Sequence, residues 1–196
     1  MSRRLLVAVT VVGFAGGALA GCRHHAKSPA EAYQRFSAAV TARDGAALFD
    51  ALDQPTRWAW MTIQKYHREA YDIVLSNYPE GPERDRESHR FQGGATATSA
   101  RELFRAEAAP GVLPMLGPLV AADAKIDGAA DAPDGKAAAV LASGARVPLA
   151  RGEDGSWGYA GLAKDAKDLE TRAFHDLEVV RSSAADYERA ATRAGK

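Results

Sequence analysis

The sequence predicts a single α+β domain with helices in its N-terminal part, a four-stranded antiparallel meander after them and one long C-terminal helix. Three observations support this fold class. Apolar residues recur at helical spacing up to about Asn77, alternate with a period of two from Leu119, and return to helical spacing from Lys164. The length of 196 residues also suits one domain.

The first helix is predicted to begin at Ser28, because Ser28, Pro29 and Glu31 provide a capping side chain, a proline at the first helical position and a capping box. A break at Arg43-Asp44-Gly45 precedes a short second helix over residues 46–52. The first helix carries an apolar stripe of Tyr33, Phe36 and Val40.

Thr56 is predicted to cap a longer third helix that ends near Asn77. Residues 79–94 are charged, glycine-rich and aperiodic, which predicts an exposed loop. Ser99 and Glu102 form a second capping box that opens a short helix. Pro110, Pro114 and Pro118 then predict an irregular connection. The third helix has the stripe Trp60, Ile63, His67, Ala70, Tyr71 and Val74.

Four strands are predicted in the next segment, over residues 119–126, 137–142, 145–150 and 156–162. In the first, Val120, Ala122, Ala124 and Ile126 alternate with their neighbours. Turn signals stand between or beside the strands at Asp134-Gly135, Ser143-Gly144 and Asp154-Gly155.

A long charged helix is predicted from Lys164 to Arg193. Its apolar residues form a narrow stripe, which predicts either that the helix covers the meander or that its outer half meets a protein partner. The stripe consists of Ala166, Leu169, Ala173, Leu177, Val180, Ala184, Tyr187 and Ala191.

The composition excludes some classes of function. Lys and Arg together number 25, as do Asp and Glu, and no basic cluster suggests nucleic-acid binding. Cys22 is the only cysteine, which excludes an internal disulfide scaffold and a zinc site built on several thiolates. His24 and His25 are adjacent on a short basic segment and are interpreted as a solvated linker rather than as metal ligands. No cofactor and no metal site are expected.

The N-terminus has the layout of a secretory signal: Arg3 and Arg4, then an uncharged run, then small residues. Its last four residues, Leu19-Ala20-Gly21-Cys22, resemble the lipobox of bacterial lipoproteins. The resemblance implies diacylglycerol on the sulfur of Cys22, further acylation such as palmitate, and cleavage before Cys22. Ordinary secretion after Ala20 and an uncleaved anchor are the alternatives. Residues 1–21 are thus assigned to the signal peptide, 22–27 to a lipidated tether and 28–194 to the domain.

The order of helices followed by a meander resembles the nuclear-transport-factor-two-like superfamily, also called cystatin-like. The resemblance is carried by residues 28–56, with the helix break at 42–48, and by residues 140–162, which include the turn and strand start at 154–157. It implies a cone or roll in which a curved sheet and helices enclose a cavity. Some members are isomerases with an Asp base and Tyr and acid donors, and Tyr66, Tyr71 and Asp72 offer such residue types.

Trp60, His67 and Tyr71 are the candidate ligand-binding residues, because His67 stands centrally on an apolar helical stripe. The alternative is a partly buried histidine that bonds a neighbour within the core. His89 and His175 stand among charges and are interpreted as surface residues. No motif identifies a catalytic residue.

The functional hypothesis is a lipid-anchored envelope protein in the periplasm that binds a small ligand or a protein and is not catalytic. Arg23 follows Cys22 in place of the aspartate that retains some lipoproteins at the inner membrane, which favours the outer membrane. The alternative is an enzyme that uses a cystatin-like cavity with His67 and Tyr71. The expected partners are the membrane, through lipid, and an envelope protein, through the C-terminal helix.

Overall fold

The computed structural model describes residues 25–128 and 134–194 and confirms the α+β class. Its α-helices are α1 (Pro29–Thr41), α2 (Gly45–Ala51), α3 (Gln54–Asn77), α4 (Pro82–Thr96), α5 (Ala100–Glu107), α6 (Ala109–Leu116) and α7 (Ala163–Ala194). Its strands are β1 (Lys125–Asp127), β2 (Lys136–Val140), β3 (Arg146–Arg151) and β4 (Trp157–Tyr159). A short 3-10 helix, Gly117–Leu119, follows α6.

The four strands form the predicted antiparallel meander in the order β1-β2-β3-β4. One face of the sheet is buried: Ala139 pairs with Val147, and Leu149 pairs with Tyr159. Helix α1 covers this face, and the ring of Phe36 lies 4.3 Å from that of Tyr159. Alternate residues of β3 point into the core and out to solvent, as the period of two predicts.

The first strand is shorter than predicted, because the backbone before it is bonded to α1. The hydroxyl of Tyr33 accepts a hydrogen bond from the Ala121 amide at 2.9 Å and lies 3.0 Å from the Ala121 carbonyl oxygen, to which it donates. These bonds use backbone groups that a strand would give to the sheet. Pairing with β2 therefore begins only at Lys125.

The helix starts follow the predicted capping chemistry with one correction. Ser28 and Ser99 accept hydrogen bonds from the amides of Glu31 and Glu102. Helix α3, however, is capped by Asp53 rather than by Thr56, and the Asp53 carboxylate accepts a hydrogen bond from the Thr56 amide at 3.2 Å. Asp53 is preferred because its carboxylate reaches the first free amides of the helix.

The segment 79–94, predicted to be an exposed loop, is largely helical, since α4 spans Pro82–Thr96. Pro82 lies in its first turn with Glu83 and Asp85, a favourable placement for a proline and for negative charge. Phe91 is 1% exposed and anchors the helix to the body. The glycine signal was misleading, because Gly94 is buried where α4 crosses α3 closely.

The proline-rich connection is also more regular than predicted. Helix α6 contains Pro114, and Pro110 lies in its first turn. Ala109 and Leu116 are buried against the main core. At only eight residues, α6 depends on this packing rather than on its own helical propensity.

Helix α7 has the predicted extent, but it packs along α3 and does not cover the meander. Its 32 residues give a length of about 48 Å. Helices α3, α4 and α7 share a second apolar core, separate from the one under the sheet. That second core consists of Ala70, Val74, Tyr78, Phe91, Leu177, Val180 and Ala184.

Polar contacts also join α7 to α3. Arg181 pairs with Glu69, and the side-chain amide of Asn77 donates to Glu188 at 2.7 Å. Within residues 25–128 and 134–194, none of the helices has the length and apolar character needed to cross a bilayer.

Candidate functional site

Cys22, the predicted lipid attachment residue, and His24 lie outside the described residues. The folded part of the chain, which we call the body, nevertheless includes Ala26, which is only 4% exposed. The amide of Trp157 donates to the Ala26 carbonyl at 2.9 Å, so Ala26 extends the sheet at the free edge of β4. The fold thus begins inside the stretch 22–27 that was assigned to the tether.

This bridge sets an upper limit on the distance between the body and Cys22. Four residue steps separate Cys22 from Ala26, and an extended chain spans at most about 3.6 Å per residue, or roughly 14 Å in all. His25 is exposed beside the start of α3, with its Nδ1 3.4 Å from Nη1 of Arg57. The N-terminal end of α3 therefore lies beside His25, three residues after Cys22 in the sequence.

A separate pocket of about 200 Å³ surrounds His67, on the helical side of the molecule. We call it the His67 pocket. Its residues come from α3, the end of α5 and the first half of α7: Trp60, Ile63, His67, Glu107, Leu169, Arg172, Ala173 and Asp176. It thus lies among helices rather than between α1 and the sheet, where Phe36 and Tyr159 fill the space.

Two successive glycines of α4 lie against residues of this pocket. A Cβ atom at Gly94 would lie 2.4 Å from Cβ and 2.6 Å from Nδ1 of His67. A Cβ atom at Gly93 would lie 2.5 Å from Oε1 of Glu107. Only glycine at position 94 allows α4 to approach α3 this closely without displacing the imidazole.

The environment of His67 favours its neutral form. Its Nδ1 is buried and has no hydrogen-bond partner in the described part of the chain. Burial lowers the pKa of His67 below its ordinary value of 6.5, with Asp176 opposing this shift and Arg90 adding to it.

The two carboxylates of the pocket differ in their surroundings. Oδ1 of Asp176 lies 2.5 Å from Nη2 of Arg90, which holds this carboxylate in an ion pair with α4. Partial burial raises the pKa of Glu107, although its side chain stays largely accessible. Throughout the described ranges, groups of three or more His, Cys, Asp or Glu arranged to hold a metal ion are absent.

The predicted ligand-binding residues divide between two places. Trp60 and His67 line the pocket, whereas Tyr71 packs against the second core. The ring of Tyr66 lies 5.7 Å from that of Phe174, tilted by 54°, and Asp72 is exposed. Neither residue lines the pocket with His67. Two further histidines, His89 and His175, are exposed as expected.

Sequence reasoning missed Glu107, Arg172 and Asp176. Arg172 and Asp176 adjoin Leu169 and Ala173 of the α7 stripe, so they could have been found as polar residues at the border of that stripe. Glu107 carries no comparable signal, because it reaches the pocket from the end of a different helix, α5.

No family model, curated protein or solved structure matches the chain. The lipobox and cystatin-like resemblances therefore stay predictions.

Proposed function

We propose that the chain is a lipoprotein of the bacterial envelope, anchored through Cys22 and facing the periplasm, at the outer rather than the inner membrane. The lipobox-like run and the position of the sole cysteine support this proposal. The observation that carries it furthest is that Cys22, the only cysteine, ends the lipobox-like run Leu19-Ala20-Gly21-Cys22. The Ala26–Trp157 bridge leaves only residues 23–25 between that cysteine and the fold.

Metabolic labelling tests the anchor. Cells that express the chain are fed labelled palmitate, and the protein is separated by detergent partitioning. The chain is expected to carry label and enter the detergent phase, while Cys22→Ala does neither. Labelling of the Cys22→Ala variant, or an unlabelled wild-type protein, contradicts the proposal.

We further propose that the body works by binding, with the His67 pocket as its site for a small ligand. The pocket combines an apolar lining with polar groups from three helices, which is how small-molecule sites are built. Its volume lies below the range of about 300–1,000 Å³ for drug-sized ligands, so a small metabolite fits better. Asp176 is paired with Arg90, so Glu107 is the carboxylate of the lining that favours a ligand with one ammonium group and a short apolar part.

Isobutylamine and its uncharged analogue isobutanol provide the test. In amide-resolved NMR titrations, isobutylamine is expected to shift resonances of Trp60, His67 and Leu169, and isobutanol to shift them less. Glu107→Gln is expected to reduce the response to the amine. Equal responses to the two compounds, or shifts confined to other surfaces, contradict an ammonium site in this pocket.

The enzymatic alternative has one supporting observation. A neutral imidazole and a carboxylate with a raised pKa share one pocket, and perturbed ionisable groups cluster at catalytic sites. His67 would act as a general base. Tyr71, the other residue of this hypothesis, is not among the residues that line the pocket. A catalytic role requires that His67→Gln abolish turnover of a bound amine without changing its affinity.

Protein binding through the C-terminal helix is supported by two exposed apolar residues. Phe174 and Val179 are each 47% exposed on α7. A photocrosslinking residue at position 179 in native membranes tests this role. Excess wild-type chain without the crosslinker should remove the crosslinked species, whereas excess Val179→Glu chain should not. Crosslinks that resist the wild-type competitor are nonspecific and contradict this role.

A further inference from the structure

We propose that the outer face of the first turns of α3 lies against the lipid bilayer to which Cys22 is attached. This face consists of Trp58, Met61, Lys65 and Arg68, and we call it the Trp58 face. The proposal rests on the lipid anchor proposed above and adds the orientation of the body on the membrane.

The Trp58 face presents large apolar side chains to solvent. Trp58 is 50% exposed and Met61 is 57% exposed, whereas the other two tryptophans, Trp60 and Trp157, are 5% and 4% exposed. Trp58 and Met61 are three residues apart and therefore neighbours on the helix surface. An exposed indole beside an aliphatic side chain is typical of helices that lie in the membrane interface.

The position of the face relative to the tether identifies the bilayer as its occupant. Arg57, which precedes Trp58, lies within 3.4 Å of His25, and Ala26 is fixed on β4. Cys22 is thus at most about 14 Å of chain from Ala26. Acyl chains on Cys22 must enter the bilayer, so the first turn of α3 is held near its surface.

The charges on this face suit lipid headgroups. Lys65 and Arg68 are exposed, Lys65 four residues after Met61 and Arg68 three residues after Lys65. Met61, Lys65 and Arg68 line a shallow groove with Gln64, Glu69 and Asp72. Glu69 is paired with Arg181 of α7, and Asp72 lies a turn beyond Arg68, so the part nearest Trp58 carries basic charge.

Tryptophan fluorescence tests the orientation directly. The chain starting at Cys22, which keeps every described residue, is coupled through that sole thiol to a maleimide lipid in vesicles of phosphatidylcholine and phosphatidylglycerol. Vesicles that contain phosphatidylcholine brominated near the headgroup are expected to quench Trp58 emission, with a shift to shorter wavelength. Trp58→Phe should remove this response, because Trp60 and Trp157 are buried.

A matched control moves the indole along the same helix. Leu75 is 39% exposed and lies 17 residues after Trp58, about 26 Å along the helix axis. In a Trp58→Phe background, Leu75→Trp is expected to be quenched less than Trp58 is in the wild-type chain. Equal or greater quenching at position 75, or none at position 58, overturns the proposal.

The coupling chemistry separates this proposal from the lipid anchor itself. The maleimide lipid supplies the anchor whether or not cells acylate Cys22. Absence of palmitate labelling in cells therefore contradicts the lipoprotein assignment, while absence of quenching in the coupled protein contradicts the orientation. Lys65→Glu provides a second measurement, since it should reduce quenching in vesicles rich in phosphatidylglycerol.

Discussion

Gly93 and Gly94 are adjacent residues of α4 whose replacement should have opposite effects. A methyl group at Gly94 would collide with Cβ of His67, which is fixed to the backbone of α3. A methyl group at Gly93 would meet only the end of the flexible Glu107 side chain, which can move away. The difference lies in the mobility of the neighbour, since both distances are similarly short.

Gly94→Ala is therefore expected to lower the free energy of unfolding by about 1–3 kcal/mol, the usual effect of overpacking. Gly93→Ala is the matched control and should raise it by up to about 1 kcal/mol through helical propensity. Urea denaturation followed by circular dichroism measures both. A Gly94→Ala variant as stable as the wild type would show that α3 and α4 do not approach as described.

The buried imidazole of His67 should make stability depend on pH. Burial lowers its pKa in the folded state, so the unfolded chain binds more protons in the interval below the ordinary value of 6.5. The stability that comes from keeping His67 neutral is fully present above pH 6.5. It is lost as the pH falls through 6.5 toward the folded-state pKa. Glu107, with its raised pKa, acts in the opposite sense at lower pH.

His67→Leu should therefore reduce the loss of melting temperature between about pH 7.5 and pH 5.5. His89→Leu, which removes an exposed histidine from α4, is the control. Its melting temperature should change with pH as that of the wild type does. Asp176 and Arg90, the charged neighbours that oppose and reinforce the shift, remain in both variants. If the melting temperatures of the wild type and of His67→Leu change identically with pH, the imidazole is accessible to protons.

Among the secondary-structure elements, those with strong apolar periodicity were predictable from the sequence. The end of α3 at Asn77 and the extent of α7 are confirmed, because each helix buries a continuous stripe. Helix α4 was not predictable, since it buries only Phe91 and Gly94 and is held by tertiary contacts. The surface that α7 covers was also missed, because its stripe does not reveal whether a sheet or a helix lies beneath.

The candidate site, like the secondary structure, was predictable from the sequence only in part. The α3 stripe identified Trp60 and His67, which line the pocket. Glu107 reaches it from a different helix, and no local pattern marks such a long-range approach. Tyr71 shares the stripe, but it lies one turn beyond His67, beside the second core.

Two neighbouring valines of α7 test its packing on α3. Val180 is 1% exposed in the second core, and Val179 is 47% exposed. Val180→Glu should lower the free energy of unfolding by about 3 kcal/mol or more, because it removes apolar burial and places a charge in the core. Val179→Glu should change it by no more than about 0.5 kcal/mol. Thermal melts compare the two, and similar values would contradict the packing of α7.

At the scale of the whole molecule, two apolar cores share α3. The first lies under the sheet and contains Trp60 and Ile63, and the second contains Ala70 and Val74. Because one continuous helix contributes to both cores, they should unfold together. Tyr66 contacts both cores and marks where they meet.

The N-terminal bridge connects this body to its proposed anchor, and its removal should weaken the whole fold. A chain starting at residue 28 lacks the buried Ala26 and its hydrogen bond to Trp157, whereas a chain starting at residue 25 keeps both. One backbone hydrogen bond contributes about 0.5–1.5 kcal/mol, so the shorter chain should melt roughly 1–6 °C lower. Both chains should show one cooperative transition and a mainly helical circular dichroism spectrum. Ala26→Gly in the longer chain keeps the hydrogen bond and should lie between them. Equal melting temperatures for the chains starting at 25 and 28 would mean that the segment before α1 is free, and the short tether on which the membrane orientation depends would then be lost.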